Sequence, residues 1–464
     1  MLSNKSRMLL QSIKIFAGRA SDQKLMKIID KVHPADLGLV LGHLKKSEVI
    51  KVFSLIQDNL EYAGEVLKEA ELEITVEILE GLDPKVSSKI LQEMYSDDAA
   101  QILDKFSDEL RDAILKEMEE TEQRDVEERL DYDDETAGRI MVPDFFALPP
   151  DTTVKDTIKS LQKAEDIEVF YYIYVTSEDG QLAGVTSLRQ LLLVNPETKL
   201  RDIMESEVIV VNANTDQEDV ARMVARYNLL AIPVVDDLGR MQGIVTVDDI
   251  IDVIKDEATE DMLKMAGAAG AEEYIVSGSI FANVRIRWPW LLASWFGGMF
   301  AFYITGHFED ALSKIVLLAG FIPIVMGMGG NIGTQSSILV VRGLATRLID
   351  TNEIWSVVSR ELRVALTLGL MYGTLLAIAV LVLLKTGIIV GSSEFIVSEV
   401  RLASVVGLGV FSSMMVAAII GTICPILLDR MRIDPAIATG PLVTTSIDVF
   451  GILVYFSIAT WLLL

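Results

Sequence analysis

The sequence predicts a multidomain membrane protein: an all-α superhelical N domain, α/β tandem units, a long connecting helix and an α-helical transmembrane domain of five helices. Three observations carry that prediction: a lopsided charge distribution, one strand–helix order that occurs twice, and a series of long apolar stretches. The chain has 464 residues, 41 Lys+Arg against 67 Asp+Glu and a net charge of −26, yet its mean hydropathy is +0.38. From Arg285 to the end there are 11 basic and 10 acidic residues, which leaves 30 basic and 57 acidic ones before it. An acidic water-facing part therefore precedes an apolar part with almost no net charge.

The elements follow in order. Residues 1–21 form an amphipathic segment ("MLLQSIKIFAGRA") without a signal peptide's apolar core and cleavage site, which predicts a cytoplasmic N-terminus. Residues 22–135 read as short amphipathic helices ("HPADLGLVLGHL", "EITVEILEGL", "DDAAQILDKF") recurring as in a small solenoid. Residues 136–203 and 204–255 then repeat one β-α-β-β-α unit, seen in "YYIYVTSEDGQLAGVTSLRQLLL" and "LLAIPVVDDLGRMQGIVTVDDIIDVI". Residues 256–284 read as a connecting helix with a small-residue stretch, "AGAAGA".

Within 285–464, five spans have crossing length: Trp288–Gly306, Ile315–Val341, Val364–Leu384, Leu402–Leu428 and Pro435–Leu464. With the N-terminus inside, Arg285, Arg287, Arg342, Arg347, Arg360, Arg363, Arg430 and Arg432 lie on inner connections. Only Lys314, Lys385 and Arg401 lie on outer ones. That bias predicts a multi-pass protein of the plasma (inner) membrane with its C-terminus outside.

The chemistry-bearing residues are few. The single Cys424 excludes an intramolecular disulfide and a cysteine-based zinc site, and three scattered histidines argue against a His-rich metal centre. No phosphate-binding loop or other catalytic motif is present, so an enzyme is not expected. So acidic a chain is not expected to bind nucleic acid.

Asp448 is the only charged residue from Pro435 to Leu464. A charge at that depth is costly and by default marks a pathway or a paired site. It reads either as a packing carboxylate bonded to Thr444, Thr445 or Ser446, or as a cation site to which a second copy of the chain adds an equal carboxylate. The second span carries "FIPIVMGMGGNIGTQSS". Gly327, Gly329, Gly330 and Gly333 there allow close helix approach or a broken helix, and Asn331, Thr334 and Gln335 add polar groups at that depth. In "VTVDDIIDVIKDEATEDML", acids crowd one helix face, where like charges repel unless a cation neutralises them.

The duplicated unit resembles paired cystathionine-β-synthase (CBS) domains, which sense ligands and regulate an attached domain. "PIVMGMGGNIGTQSS" and "DPAIATGPLVTTSIDVFG", with the order of parts, resemble the MgtE family of magnesium channels across essentially the whole chain. The resemblance implies a homodimer in the lipid bilayer that takes up Mg2+ and is shut by cytosolic Mg2+. It implies pore positions at Asp448, Asp434, Thr444 and Gly440, beside pore-lining Gly327, Gly330, Asn331 and Thr334. It also implies regulatory Mg2+ at Asp216, Glu218, Asp249, Asp252, Glu257, Glu260 and Asp261, with Asp97 and Asp98 facing them from the N domain. Thr334 stands where relatives often carry Asn, and Asn228 where some carry an acid. "GIVTVDD" fits the adenine-nucleotide pattern of CBS domains, with Thr246 for phosphate and Asp249 for ribose, whereas the first copy ends in Gln190. An H+- or Na+-coupled divalent-cation transporter and a non-transporting sensor remain the alternative readings.

Overall fold

The structure is a computed structural model, and it describes residues 4–17, 22–164, 171–268, 270, 280–309, 315–349, 354–386 and 398–463. It divides into two compact units, Met1–Glu257 and Ala258–Leu464.

In the first unit, the described residues up to 130 form ten helices, from α1 (Asn4–Ala17) to α10 (Glu120–Leu130). Local chemistry starts them. Asp83 accepts from Lys85 N ahead of Pro84, and Ser107 and Asn59 cap their helices in the same way. Each helix turns a few apolar residues into one continuous core, including Leu37, Leu41, Leu67, Leu79, Ile90 and Leu103. A recurring device joins neighbours: buried Thr75 donates to Leu67 O at 2.8 Å, and buried Ser87 to Leu79 O at 3.0 Å.

The duplicated units form two three-stranded sheets of identical topology. In the first, β1 (Ala147–Leu148) runs parallel to β2 (Tyr172–Thr176), which pairs antiparallel with β3 (Leu182–Ser187). In the second, β4 (Val211–Asn212), β5 (Ala231–Val235) and β6 (Met241–Thr246) repeat this, down to a register shift at the end of the middle strand. Gly180 and Gly239 close the two hairpins at φ +77° and +75°, where a side chain would be strained. The turns also grip each other: Leu182 N donates to Gly239 O, and Met241 N to Gly180 O. Residues Ala137–Met141, α11 (Ala137–Ile140) and the residue after it, pack into the core of the second sheet, with Ala137 N bonded to Thr215 O.

α12 (Val154–Leu161), α13 (Leu188–Leu193) and α14 (Gln217–Tyr227) flank the sheets, and α15 runs from Val247 to Met265. The connecting helix therefore begins nine residues earlier than the composition suggested, because it grows directly out of β6. Residues 271–279 of the connecting segment lie outside the described residues.

The second unit holds five long helices among the described residues: α16 (Ile280–His307), α17 (Leu317–Ala345), α18 (Ile354–Lys385), α19 (Glu399–Arg430) and α20 (Pro441–Leu463). Among the described residues four spans are long and apolar enough to cross a membrane. The last is α20 with the short 3₁₀ turn Pro435–Thr439 before it, and α16 is not among the four. Five apolar spans were expected, and the Trp288, Trp290, Trp295 and Tyr303 side chains with the Gly297–Gly298 pair explain the shortfall of α16. Leu370, Met371 and Leu375 of α18 point outward, as lipid-facing side chains do.

Small residues make the inner seams. A Cβ on Gly421 would collide with the Gly333 carbonyl oxygen, and Gly373 and Gly407 abut in the same way between α18 and α19. Ser413 Oγ donates to Val325 O at 3.2 Å and Tyr455 Oη to Leu318 O at 3.0 Å, tying α19 and α20 to α17.

Candidate ion site

Asp448 stands in the middle of α20, and its neighbours on that helix fix its direction. Ile447 seats against Gly329 and Gly333 of α17, where a Cβ would meet it. Gly451 faces Ser413 of α19, and Thr445 fills a notch at Gly297 of α16. Asp448 is left half-buried, with no hydrogen bond or ion pair among the described residues. Ser446 and Thr444 spend their hydroxyls on their own helix, at Leu442 O and at Gly440 O and Pro441 O. The packing reading, in which these residues hold the carboxylate, finds no support in these bonds.

The glycine-rich stretch of α17 is a continuous helix, not a broken one. It presents two faces: Gly329 and Gly333 pack, while a Cβ on Gly327 or Gly330 would meet nothing within 4 Å. Asn331 is exposed and Thr334 half-buried, so four of the predicted pore-lining positions share the open side.

Asp434 caps the 3₁₀ turn before α20, accepting from Ala436 N at 2.8 Å. Its other oxygen pairs with Lys264 of α15 at 2.7 Å, and Lys264 also pairs with Glu260 at 2.6 Å. Burial would lower the Lys264 ammonium's pKa, but these two carboxylates outweigh it and push it up. Asp261 beside it is raised by burial and by Asp434. Gly440 is buried against the end of α15, nearest to the Lys264 and Met265 carbonyls.

The predicted regulatory acids do not form one cluster. Among the described residues no three acidic, His or Cys side chains come together in a metal-holding group. Asp216 caps α14 through Glu218 N, Glu218 pairs with Arg222 at 3.3 Å, and Asp252 pairs with Lys255 at 3.5 Å. Glu257 accepts from Gln217 Nε2 at 2.7 Å.

Asp97 and Asp98, in the first turn of α8 (Ser96–Asp104), share an electrostatic neighbourhood with Asp249 at the start of α15. Lys68 stands among them, 2.9 Å from Asp98 and 5.0 Å from the centre of the Tyr95 ring. Burial, then Asp98 and Asp249, hold Asp97 well above the ordinary range, and its Oδ1 is buried without a hydrogen-bond partner. Burial also raises Asp98, against Lys68. Asp249 is pushed up to about 6 by burial, against the hydrogen bond that Thr246 Oγ1 donates to it at 2.5 Å. In the other copy Gln190 takes the carboxylate's place, bonded to Ser187 and Thr186.

These carboxyls hold protons in the packed arrangement at pH values where the separated chain has lost them. For Asp249 the contribution is fully present below the ordinary 3.8 and is lost as pH rises through about 6, and the raised Asp97 and Asp98 act in the same direction. Without divalent cation, amide exchange in α8, corrected for intrinsic rates, should be slower at pH 5 than at pH 8. Equal protection would show that these carboxyls stay ionised against each other.

The residue that the sequence reading missed is Glu361. It lies on α18, is 6% exposed, and accepts a hydrogen bond from Ser336 Oγ of α17 at 3.0 Å. A span starting at Val364 left it outside; its four-residue spacing from Val357 and Ala365 was the available signal.

Fold and site together define a class: a multi-pass membrane protein with a lone carboxylate in its last span, carrying a helical N domain and a tandem CBS pair. Family models agree part by part. "MgtE intracellular N domain" matches residues 32–135, "CBS domain" 137–196 and 200–256, and "Divalent cation transporter" 322–458. The chain is 36% identical over 434 residues to the magnesium transporter MgtE of Bacillus subtilis (strain 168), covering 93% of this chain and 92% of that protein. It is 36% identical over 446 residues to that of Thermus thermophilus, covering 95% of each. The chain belongs to the MgtE family of magnesium transporters. A solved structure described as the cytosolic domain of the Mg2+ channel MgtE in complex with ATP is 34% identical, with a TM-score of 0.50, covering 53% of this chain and 99% of that one.

Proposed function

We propose that this chain is a homodimeric Mg2+ channel of the plasma (inner) membrane, N-terminus inside and C-terminus outside, that mediates Mg2+ uptake and is shut by cytosolic Mg2+. The observation that carries the reading is Asp448: a carboxylate in the last span that no hydrogen bond or ion pair uses among the described residues. Mg2+ sheds water reluctantly. A site for the hydrated ion needs long-range negative charge and oxygen acceptors, which Asp448 with Thr444 and backbone carbonyls supplies. Two copies of the chain would bring two carboxylates, matching a divalent charge.

Gating follows from the acids. Asp97, Asp98, Asp249 and their neighbours repel, and Mg2+ bound between them favours the drawn-together state by its higher affinity for that state. Asp216, Glu218, Asp252, Glu257, Glu260 and Asp261 extend the sensor along α14 and α15, and Asp434 lies where α15 ends. The ATP complex of the similar cytosolic domain supports adenine-nucleotide binding here, at Thr246 and Asp249.

The test is Mg2+ flux by purified protein in liposomes at fixed membrane potential, with Mg2+ varied on the side of the soluble unit. Flux without a proton or Na+ gradient that falls as this Mg2+ rises is the expected result. Flux that requires either gradient would make the protein a coupled transporter, and no flux would leave a sensor.

A further inference from the structure

Glu361 is a charged side chain that the proposed pathway does not use. It sits in a seam of α18 otherwise made of Val357, Val358, Ala365, Gly369 and Gly373. A carboxylate in such a seam is expensive, and an apolar side chain would pack there with less penalty. Its partners are few: Ser336 Oγ donates to Oε2 at 3.0 Å, and Arg360, itself largely exposed, approaches Oε1 at 3.6 Å.

The position of Ser336 gives the contact its meaning. It lies on α17 three residues beyond Gly333, whose backbone abuts α19 and whose face receives Ile447. One turn further on, Val340 and Leu344 meet Val357 and Ile426 in a small apolar cluster. The Glu361–Ser336 bond therefore fastens the turn of α17 that connects this cluster to the glycine contact. Asn331 and Thr334 stand next to that turn, on sides of the helix less covered than Ser336.

We propose that Glu361 is a positioning residue for ion passage: through Ser336 it fixes the rotation of α17, and with it the placement of Asn331 and Thr334 relative to Asp448. The proposal rests on the reading of Asp448 as the ion site.

The experiment compares Ser336→Ala, Glu361→Ala, Glu361→Gln, the Ser336→Ala/Glu361→Ala pair and Asp448→Asn in liposomes. It reads Mg2+ flux, the Mg2+ concentration at half-maximal flux, and the Mg2+/Ca2+ flux ratio. Ser336→Ala and Glu361→Ala should each shift the half-maximal concentration and the ratio at least about fivefold, and the pair no more than the larger single change. Glu361→Gln, which keeps an acceptor oxygen, should restore most of both. Ser336→Ala removes one oxygen and keeps the test open if Glu361→Ala fails to fold. Unchanged ratio and half-maximal concentration in both alanine variants, with only the yield of folded protein reduced, would overturn the proposal. So would Glu361→Gln behaving like Glu361→Ala. A silent Asp448→Asn beside an unaltered Ser336→Ala sinks this inference alone; a normally conducting Asp448→Asn sinks the ion site and this inference with it.

Discussion

Asp448→Asn and Asp448→Ala are expected to lower Mg2+ flux in liposomes at least about 100-fold, the equivalent of roughly 3 kcal/mol at 1.4 kcal/mol per tenfold. The asparagine variant is the sharper one, because it keeps the shape and removes the charge. Its neighbours Ile447, Thr445 and Gly451 make the helix contacts, so the fold has no need of the carboxylate. Elution volume and thermal midpoint in detergent should therefore match wild type. Wild-type flux from the asparagine variant would make Asp448 structural and place the ion path elsewhere.

Gly421→Ala should damage the membrane unit more than any other single methyl group added to its seams. The new Cβ would meet the Gly333 carbonyl oxygen, which cannot swing aside as a side chain can. In lipid no hydrophobic drive holds two helices together once their backbones are forced apart. Overpacking of this kind costs about 1–3 kcal/mol, or a drop in thermal midpoint of roughly 2–12 °C for a unit of this size. Gly320→Ala is the control, since a Cβ there meets nothing within 4 Å. If both variants melt together, the α17–α19 seam is looser than the structure has it.

Much of this was legible because it is periodic or costly. The duplicated unit announced itself by repeating strand, turn and helix in the same order, and the structure gives both copies the same strand pairing. Asp448 was legible because a charge in an apolar run has no cheap explanation. Glu361 was not: it sits among Arg360, Arg363 and polar residues, and only the packing of α18 shows that it is buried. The lysines were equally hidden. Counting acids along α15 shows repulsion, but Lys264 reaching Asp434, and Lys68 reaching Asp98, join residues far apart in the chain. The two faces of the glycine stretch needed the neighbouring helices to tell them apart.

The glycine seams also bear on how the membrane unit can change state. Gly333 against Gly421, and Gly373 against Gly407, place backbone on backbone, with no rotamers to exchange. A mobile joint needs side chains that can settle in a second arrangement, and these contacts have none. α17 and α18 should therefore each travel with α19, clamped to it at one narrow point about which the Glu361–Ser336 bond sets the rotation of α17. Any change of state in the membrane unit is then left to the ends of the helices, above all the short 3₁₀ turn Pro435–Thr439 that leads into α20.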